Sequence, residues 1–228
     1  MVEGFAVTPY KNETPSGFIP TSFVCFSRYE KIEEMGYSFK NQFLIDDTSK
    51  EALDKLYTQL TANESDDDLK VKNIVNYVQD SIVYQNYGLL RVYQPSWCIQ
   101  GNRGDCKAKT LIAIELLKRV GIEAQPVLVN LPKYYQQLDS IPSGFNFNHV
   151  IVQFDYNGEK ILLDPTITNQ TDKIGAYTMP AYEKGLVLYD NKTETIDISA
   201  EHRGKVEIYD EISDKVCLLY TSPSPRDS

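Results

Sequence analysis

The stretch RGDCKAKTLIAIELLKRVGIEAQPVLV, residues 103–129, decides the fold class. Its apolar residues first follow the period of a helix and then the period of a strand. Apolar residues at helical spacing predict a helix that starts at about Asp105 or Cys106 and stops at Gly121. From Ala124 onward the period changes to two, which predicts a strand. Cys106 stands at the first turn of this amphipathic helix. A buried structural cysteine would lie on the apolar stripe of the helix, but Cys106 lies off it. Its position therefore needs a chemical explanation.

Two further helices are expected before this segment, and strands after it. The first helix is predicted near Ser49–Thr61, and the second after Ser65 as N-cap, where three aspartates favour a helix N-terminus. The second helix should bury a stripe made of Val71, Ile74, Val75, Val78 and Ile82. Residues 84–97, YQNYGLLRVYQPSW, are interpreted as a loop rich in aromatic residues and turn formers.

The chain after the central segment is typical of strands. The Asn157–Gly158 dipeptide between two apolar runs predicts a hairpin with a type I′ turn. An apolar piece, GLVLYD, and a last strand, KVEIYDEI, follow at a greater distance. Helices followed by strands imply an α+β fold in which the helices pack on an antiparallel sheet.

Composition limits the kinds of partner. The chain has 228 residues, of which 42% are hydrophobic and 24% charged, as is ordinary for a soluble globular chain with an apolar core. A net charge of -9 argues against nucleic acid or an anionic membrane as the main partner. No run approaches 18 apolar residues, so no membrane-spanning segment is expected. The first residues show no signal-peptide pattern.

The C-terminal residues differ in character from the rest. Residues 217–227, CLLYTSPSPRD, lack periodicity and resemble one reading frame of the transposon-end adapter used in sequencing libraries. We therefore expect residues 217–228 to be a non-native tail rather than a disordered extension. The cysteines outside it, Cys25, Cys98 and Cys106, form neither a disulfide framework nor a Cys-x-x-Cys zinc pair. Whether Cys25 and Cys98 form a disulfide stays open, and so does the question of an oxidising or reducing compartment.

The expected hairpin brings two titratable residues together. With a two-residue loop, Tyr156 pairs with Glu159. His149 and Asp164 then lie on the same face as diagonal neighbours, roughly 7–8 Å apart at the backbone, within reach of a carboxylate and an imidazole. A slip of one residue would separate them. An aspartate on one ring nitrogen fixes the histidine tautomer and leaves the other nitrogen to act as a base.

Cys106 is the well-placed nucleophile for that base. Unsatisfied N–H groups at a helix start favour a thiolate, and Lys107 adds positive charge. Asp105 opposes this effect, so these residues alone leave the net influence on the thiol open. A histidine-paired thiolate at a helix start is the arrangement that activates cysteine for acyl transfer.

A family resemblance is carried by three segments, NRGDCKAKTLIAIELLKRVGIEAQPVLV, FNHVIV and ILLDPT. They resemble the transglutaminase-like branch of the papain-like cysteine enzymes, and the resemblance covers about Ser49 to Tyr189. The family order is the order found here, with cysteine at a core-helix start, histidine on a strand and aspartate on the next strand. The resemblance implies Cys106 as nucleophile, His149 as general base and acid, and Asp164 as orienting carboxylate. Many relatives have Asp where Ala108 stands. This difference leaves the cysteine, histidine and aspartate in place but affects how the start of the helix is supported.

The resemblance also implies a domain organisation, since it is closest to bacterial multidomain proteins whose transglutaminase-like core lies between two β domains. Residues 1–46 would be the end of a preceding β domain or a linker, with short strands such as SFVCFS. The core would be 47–195, the start of a C-terminal β domain 196–216, and the tail 217–228. Relatives of this architecture are often exported, so a periplasmic or extracellular location is expected, with the signal lost by truncation.

The oxyanion hole of the family implies the backbone N–H of Cys106 and a second donor from an upstream segment. Gln94, Trp97 and Gln100 are candidates for that donor by nearness in sequence. Trp97 is better explained as an aromatic side chain packed under the active-site loop. His202 lies in a polar stretch and is expected to be solvated.

Other interpretations of these residues are weaker. A zinc site made of Cys106, His149 and Asp164 would have poor spacing and no fourth ligand, so no metal or cofactor is expected. The RGD tripeptide at 103–105 runs straight into a helix, which argues against an adhesion motif.

The expected activity is thiol-dependent acyl transfer at a peptide or amide carbonyl through a cysteine thioester. Water as acceptor would make the protein a protease or amidase, and a primary amine would make it a transglutaminase. The alternative is a non-catalytic peptide-binding or scaffold domain. Neither the substrate nor the oligomeric state has a readable motif.

Overall fold

The computed structural model describes residues 27–88, 91–130, 142, 146–170, 173–180 and 182–198. The helices are α1 (Ile32–Lys40), α2 (Asp47–Thr61), α3 (Asp67–Asn76), α4 (Pro95–Gly101) and α5 (Cys106–Arg119), and α3 continues into a π-helical turn, Tyr77–Ser81. The strands are β1 (Val83–Tyr84), β2 (Arg103–Gly104), β3 (Ala124–Val129), β4 (His149–Tyr156), β5 (Glu159–Leu163), β6 (Glu183–Leu188) and β7 (Thr193–Ile198). Within these ranges, none of the helices combines the length and apolarity that a membrane crossing requires.

Helix α5 lies at the centre of the packing. Asp105 caps it, since its Oδ1 accepts a hydrogen bond of 3.0 Å from the N–H of Ala108, and Gly121 follows its end at a φ of 86°. These bounds confirm the prediction. The expected amphipathic character is wrong, because nearly every residue from Cys106 to Leu117 is buried. Helices pack on one side of α5 and the sheet on the other, so the cysteine lies among apolar side chains.

Helices α2 and α3 confirm the two other predicted helices. Asp46 caps α2 by accepting a 2.7 Å bond from the N–H of Ser49. Asp66 caps α3, and the prediction of Ser65 as its cap is wrong, since Asp66 accepts from the N–H of Asp68 at 2.8 Å. The aspartate run thus starts the helix as expected, but one residue later. The predicted apolar stripe is buried throughout, at Val71, Ile74, Val75, Val78 and Ile82.

Two short helices were not expected. α1 forms within residues 1–46, and its Gly36 lies so close to the sheet that a Cβ there would come within 2.6 Å of Thr193 Cγ2. α4 forms where the loop of residues 84–97 was expected, so that interpretation is wrong from Pro95 onward. Proline suits a first helical turn because its φ is already helical and its missing N–H would have no acceptor there.

The main sheet is antiparallel throughout, in the order β5-β4-β3-β6-β7. Asn157–Gly158 connects β4 to β5 with φ values of 52° and 82°, as a type I′ turn requires. Tyr156 pairs with Glu159, so the predicted register is confirmed. The ladder of this hairpin ends at Leu163, and Asp164 follows directly after the strand.

The two faces of the sheet carry separate apolar clusters. One face packs against the helices through Val152, Phe154, Ile161 and Leu163. The opposite face holds Val127, Val129, Ile151, Tyr182, Val187 and Ile198. Helices on one face of an antiparallel sheet confirm the α+β class. An additional pair of short parallel strands, β1 and β2, joins Tyr84 to Gly104 and was not expected.

Several predictions about the ends of the chain stay predictions. The segment KVEIYDEI, residues 205–212, lies outside the described residues, as do His202 and residues 22–26 of SFVCFS. The division at residues 46, 195 and 216 is also untested. Cys98 is a buried free thiol, whereas Cys25 lies outside the part of the chain that the structure describes.

Replacing Gly158 by alanine should weaken the hairpin that sets the register of His149 and Asp164. Its φ of 82° is a conformation that costs an L-residue about 1 kcal/mol or more. We expect Gly158→Ala to lower the free energy of unfolding by about 1 kcal/mol in urea denaturation. Gly101→Ala is the matched control, because a Cβ at this last residue of α4 meets nothing closer than 3.6 Å. An equal loss of stability in both variants would contradict the turn assignment.

Candidate active site

Cys106 is the first residue of α5, so its side chain lies at the helix N-terminus, where the first N–H groups have no intrahelical acceptor. The residue is only 6% exposed. It lines a small cavity with residues from α1, α5, β3, β4 and the segment before β4, namely Phe39, Lys107, Leu128, Phe147, Asn148, His149 and Val150. The thiol and the imidazole of His149 therefore face one space.

His149 is the first residue of β4, so its ring lies at the end of the sheet that is near the start of α5. Its Nε2 is 2.8 Å from Oδ2 of Asp164. His149 also interacts with the side chain of Cys106, with which it lines one cavity. Because Nε2 is engaged by the carboxylate, Nδ1 is the ring nitrogen left for the thiol. The structure thus brings the three predicted residues together in the predicted order.

Asp164 is held by donors on both carboxylate oxygens. Its Oδ1 accepts from the N–H and from the hydroxyl of Thr166, at 2.8 and 2.7 Å. Its Oδ2 accepts from His149 and, at 2.5 Å, from the hydroxyl of Tyr182. Its main-chain oxygen accepts from Nε2 of Gln79 at 2.9 Å. Since a carboxylate offers about four acceptor positions, these bonds use all of them and fix the group in place.

The buried pair changes the ionisation of both partners. Burial by itself lowers the pKa of His149, but hydrogen bonds with Asp164 and Cys106 and the charge of the carboxylate outweigh it and raise this pKa to about 10. Burial by itself raises the pKa of Asp164, whereas its bonds to His149, Tyr182 and Thr166 outweigh that effect and hold this pKa below its usual range. Both groups are therefore charged at neutral pH.

The expected positive charge beside Cys106 is compensated inside the protein. Nζ of Lys107 lies 2.5 Å from Oδ2 of Asp105 and donates to the main-chain oxygen of Gly88 at 2.9 Å. Both side chains are buried. The two opposed effects expected from the sequence, the lysine for a thiolate and the aspartate against it, thus belong to one ion pair. The helix start offers its N–H groups to Cys106 rather than a free charge.

Lys109 is a second buried cation of this region. Its side chain is fully buried, and Nζ donates to the main-chain oxygens of Gln79 and Ile82 at 3.2 and 2.8 Å. Burial lowers its pKa to about 8, against the opposing charges of Asp164 and Asp80. Since Gln79 donates to Asp164, Lys109 connects α5 to the carboxylate through the π-helical turn.

Gln94 is not brought to Cys106, and its role as oxyanion donor has no support in the geometry. The residue precedes α4 and holds the start of α2. Its Oε1 accepts from the N–H of Asp46 and from the hydroxyl of Ser49, both at 3.1 Å. Its Nε2 donates to the main-chain oxygen of Leu44 at 3.0 Å. The amide is therefore occupied in joining two helices.

Trp97 and Gln100 are likewise placed on the outside of α4. Trp97 is 44% exposed and stacks on Tyr93, with ring centroids 5.2 Å apart. Trp97 and Gln94 line a cavity different from that of Cys106, together with Gln42, Arg91, Val92 and Tyr93. Gln100 is exposed. A second donor was expected among these residues because they are close to Cys106 in sequence. Since α4 forms here, closeness in sequence does not bring them to the thiol.

Several residues around the site were missed. Thr166 has a signal in the sequence, because it follows Asp164 closely in ILLDPT, whereas Gln79 and Tyr182 belong to no motif. Tyr84 is the remaining one. Its pairing with Gly104 places it beside the start of α5. Burial, followed by the acidic groups of Cys106, Asp105 and Asp164, raises its pKa to about 12.

Metal binding has no support among the described residues, where no three histidine, cysteine or acidic side chains could hold an ion together. The zinc interpretation required Cys106, His149 and Asp164 to face one point. Instead, His149 engages Asp164 through Nε2 at 2.8 Å and lines one cavity with Cys106.

A model of the transglutaminase-like superfamily matches residues 54–165 of this chain. That range contains Cys106, His149 and Asp164. Residues 54–165 are a transglutaminase-like domain. The sheet of this transglutaminase-like domain extends beyond the matched range through β6 and β7.

Three solved structures are similar to the chain. A proposed protease from Parabacteroides distasonis is 13% identical with a TM-score of 0.57, over 75% of this chain and 32% of that one. A proposed cysteine protease from Cytophaga hutchinsonii is 15% identical with a TM-score of 0.41, over 76% and 60%. A TGase is 20% identical with a TM-score of 0.39, over 63% and 39%. The alignment thus spans about a third of the first of these chains, and no curated protein matches.

The pair of His149 and Asp164 should stabilise the fold in a limited pH window. Because the pKa of His149 is raised, its contribution is complete below about pH 6.5 and is lost as the pH rises through about 10. Because the pKa of Asp164 is lowered, its contribution is complete above about pH 3.9 and is lost as the pH falls through the folded-state value. We expect His149→Gln to lower the free energy of unfolding by about 2 kcal/mol inside this window.

Urea denaturation at a series of pH values measures this effect. The difference between wild type and His149→Gln should shrink as the pH rises toward 10. His202→Gln is the control, because the chain has two histidines and the second is expected to be solvated. A difference for His149→Gln that stays constant from neutral pH to above pH 10 would show that the histidine contributes by packing alone.

Proposed function

We propose that the domain performs thiol-dependent acyl transfer at a peptide or amide carbonyl, through a thioester on Cys106. One observation carries the proposal. The thiol at the start of α5 lines one cavity with His149, whose Nε2 is bonded to a carboxylate that is fixed in place. The match of residues 54–165 to the transglutaminase-like superfamily supports the same assignment.

Acylation would proceed through these groups in order. Sγ of Cys106 forms a bond to the carbonyl carbon, and the π electrons of that carbonyl move onto its oxygen. His149 holds the thiol proton at Nδ1 and passes it to the amine when the C–N bond breaks. The N–H groups at the start of α5 stabilise the negative oxygen. Asp164 keeps Nδ1 directed at the reacting atoms and stabilises the imidazolium.

Deacylation reuses the same groups with a second nucleophile. Water or a primary amine attacks the thioester carbon while His149 accepts its proton. The C–S bond then breaks, and the sulfur regains a proton from the histidine. Water yields a carboxylic acid, and an amine yields a new amide. The geometry supports the shared chemistry of a protease or amidase and of a transglutaminase.

A non-catalytic peptide-binding or scaffold role is the alternative. A histidine turned away from its carboxylate would favour that role, whereas His149 faces Asp164 at 2.8 Å. A scaffold has no chemical need for a cysteine, a histidine and an aspartate in this arrangement, whereas acyl transfer requires all three. This arrangement therefore supports the enzymatic proposal.

The wider setting of the activity is also a proposal. The resemblance implies a peptide or protein substrate and a periplasmic or extracellular location. The alignment covers 32% of the similar protease-like chain from Parabacteroides distasonis. Substrates and partners of a longer protein would depend on regions outside the present sequence.

Iodoacetamide should alkylate Cys106 in the wild type much faster than it alkylates Cys98. Cys98 is a natural internal reference, because it is buried and burial raises its pKa to about 12. His149→Ala should slow the reaction at Cys106 by about 10²-fold, since the residue that holds the thiol proton is lost. Site-resolved mass spectrometry at pH 7 measures the rates. Equal labelling of Cys106 in wild type and His149→Ala would contradict an activated thiol.

The acceptor can be identified with casein as acyl donor, in the presence and absence of dansylcadaverine. Fluorescent casein would indicate an amine acceptor, and new peptide termini or conversion of casein glutamine to glutamate would indicate water. Cys106→Ala should abolish whichever product forms, because both need the thioester. Cys98→Ala should retain it. A product that survives in Cys106→Ala would refute the thioester.

A further inference from the structure

We propose that Tyr182 is a positioning residue for the acyl transfer proposed above. Its hydroxyl orients Asp164 while its ring orients His149, so that Nδ1 of the histidine stays directed at Cys106. The inference rests on the proposed function for its catalytic meaning, but its geometric content can be tested independently.

Tyr182 contacts both His149 and Asp164. The residue is fully buried, and its hydroxyl donates to Oδ2 of Asp164 at 2.5 Å. That oxygen is the one engaged by Nε2 of His149 at 2.8 Å. The rings of Tyr182 and His149 are stacked, with centroids 5.9 Å apart and an angle of 30° between their planes. One side chain therefore limits the rotation of the imidazole and of the carboxylate.

The hydroxyl acts on charge as well as on position. Thr166 already supplies two donors to Oδ1 of Asp164. The hydroxyl of Tyr182 and Nε2 of His149 both donate hydrogen bonds to the negatively charged Oδ2. Removing the hydroxyl would leave the imidazole as the remaining donor to that oxygen among the described residues and would concentrate the negative charge there, which favours the protonated ring. A residue that merely filled space would not change the ionisation of His149.

The sheet explains how a residue outside the matched range of 54–165 reaches the site. Val129 on β3 pairs with His149 on β4 on one side and with Gly185 on β6 on the other. Tyr182 directly precedes β6, so it lies across β3 from the start of β4. No motif in the sequence links Tyr182 to the cysteine, histidine and aspartate.

The ionisable groups near this cluster come from several elements. Cys106 from α5 and Asp164 after β5 interact with His149. Lys109 from α5 interacts with Asp164 through its charge, and the charge of Asp164 helps to raise the pKa of Tyr84 from β1. A comparison that leaves these groups unchanged isolates the hydroxyl of Tyr182.

Titration of His149 by NMR tests the proposal. The chain has two histidines, so the signal of His149 can be assigned by comparison with His149→Gln. In a Cys106→Ala background, which removes the thiol, Tyr182→Phe should move the titration midpoint of His149 to higher pH. Tyr177→Phe is the matched control, since Tyr177 packs with the helix-facing cluster and should leave the midpoint unchanged.

Two further measurements separate the hydroxyl from the ring. With Cys106 intact, Tyr182→Phe should slow alkylation by iodoacetamide about fivefold, the value of one hydrogen bond. Tyr182→Met, which also removes the ring, should slow it further. In the wild type, the Nε2 proton of His149 should give a downfield signal protected from exchange with water, a test that needs no variant.

An unchanged midpoint in a folded Tyr182→Phe protein, or an unprotected Nε2 proton in the wild type, would overturn the inference. If the midpoint moves while the protein transfers no acyl group to water or amine, Tyr182 positions the histidine as inferred and the proposed function fails. These outcomes distinguish the two proposals.

Discussion

A buried carboxylate must have its charge satisfied, and at Asp164 this requirement joins distant parts of the chain. Donors reach it from the first residue of β4, from the turn after β5 and from the residue before β6. The π-helical turn reaches its main-chain oxygen through Gln79. If the sheet order or the hairpin register were different, the carboxylate would lose donors. The candidate site is therefore part of what makes this fold specific.

The helix that carries the thiol is fixed by charge as well as by apolar packing. Its first turn holds two buried lysines, which are compensated in different ways. Lys107 pairs with Asp105, the residue that caps the helix. Lys109 instead donates to main-chain oxygens at the end of the π-helical turn. Both bonds attach the start of α5 to neighbouring segments, so the position of Cys106 is set from several directions.

The sequence could predict whatever local rules determine. Asp105 and Gly121 mark the ends of α5, and the Asn157–Gly158 turn sets which residues pair across the hairpin. From that register the closeness of His149 and Asp164 follows. Bonds between distant segments have no such rule. Tyr182 and Lys109 reach the site through tertiary packing, and α1 and α4 are too short for a clear period. Gln94 was chosen by distance along the chain, which does not measure distance in space.

The burial of these charges has a consequence for the direction of proton flow. Asp105 balances Lys107, and the negative charge of Asp164 acts on both Lys109 and His149. The interaction with Cys106 also helps to hold the pKa of His149 above its ordinary value. In the proposed reaction, a bond from the sulfur to the carbonyl carbon would remove this interaction, and a buried imidazolium without it is disfavoured. The histidine would give its proton to the amine as the C–N bond breaks, and once the thioester has formed it would be the neutral base that the next acceptor requires. Under the proposed function, the electroneutrality of the enclosed space would thus set the order of the proton transfers.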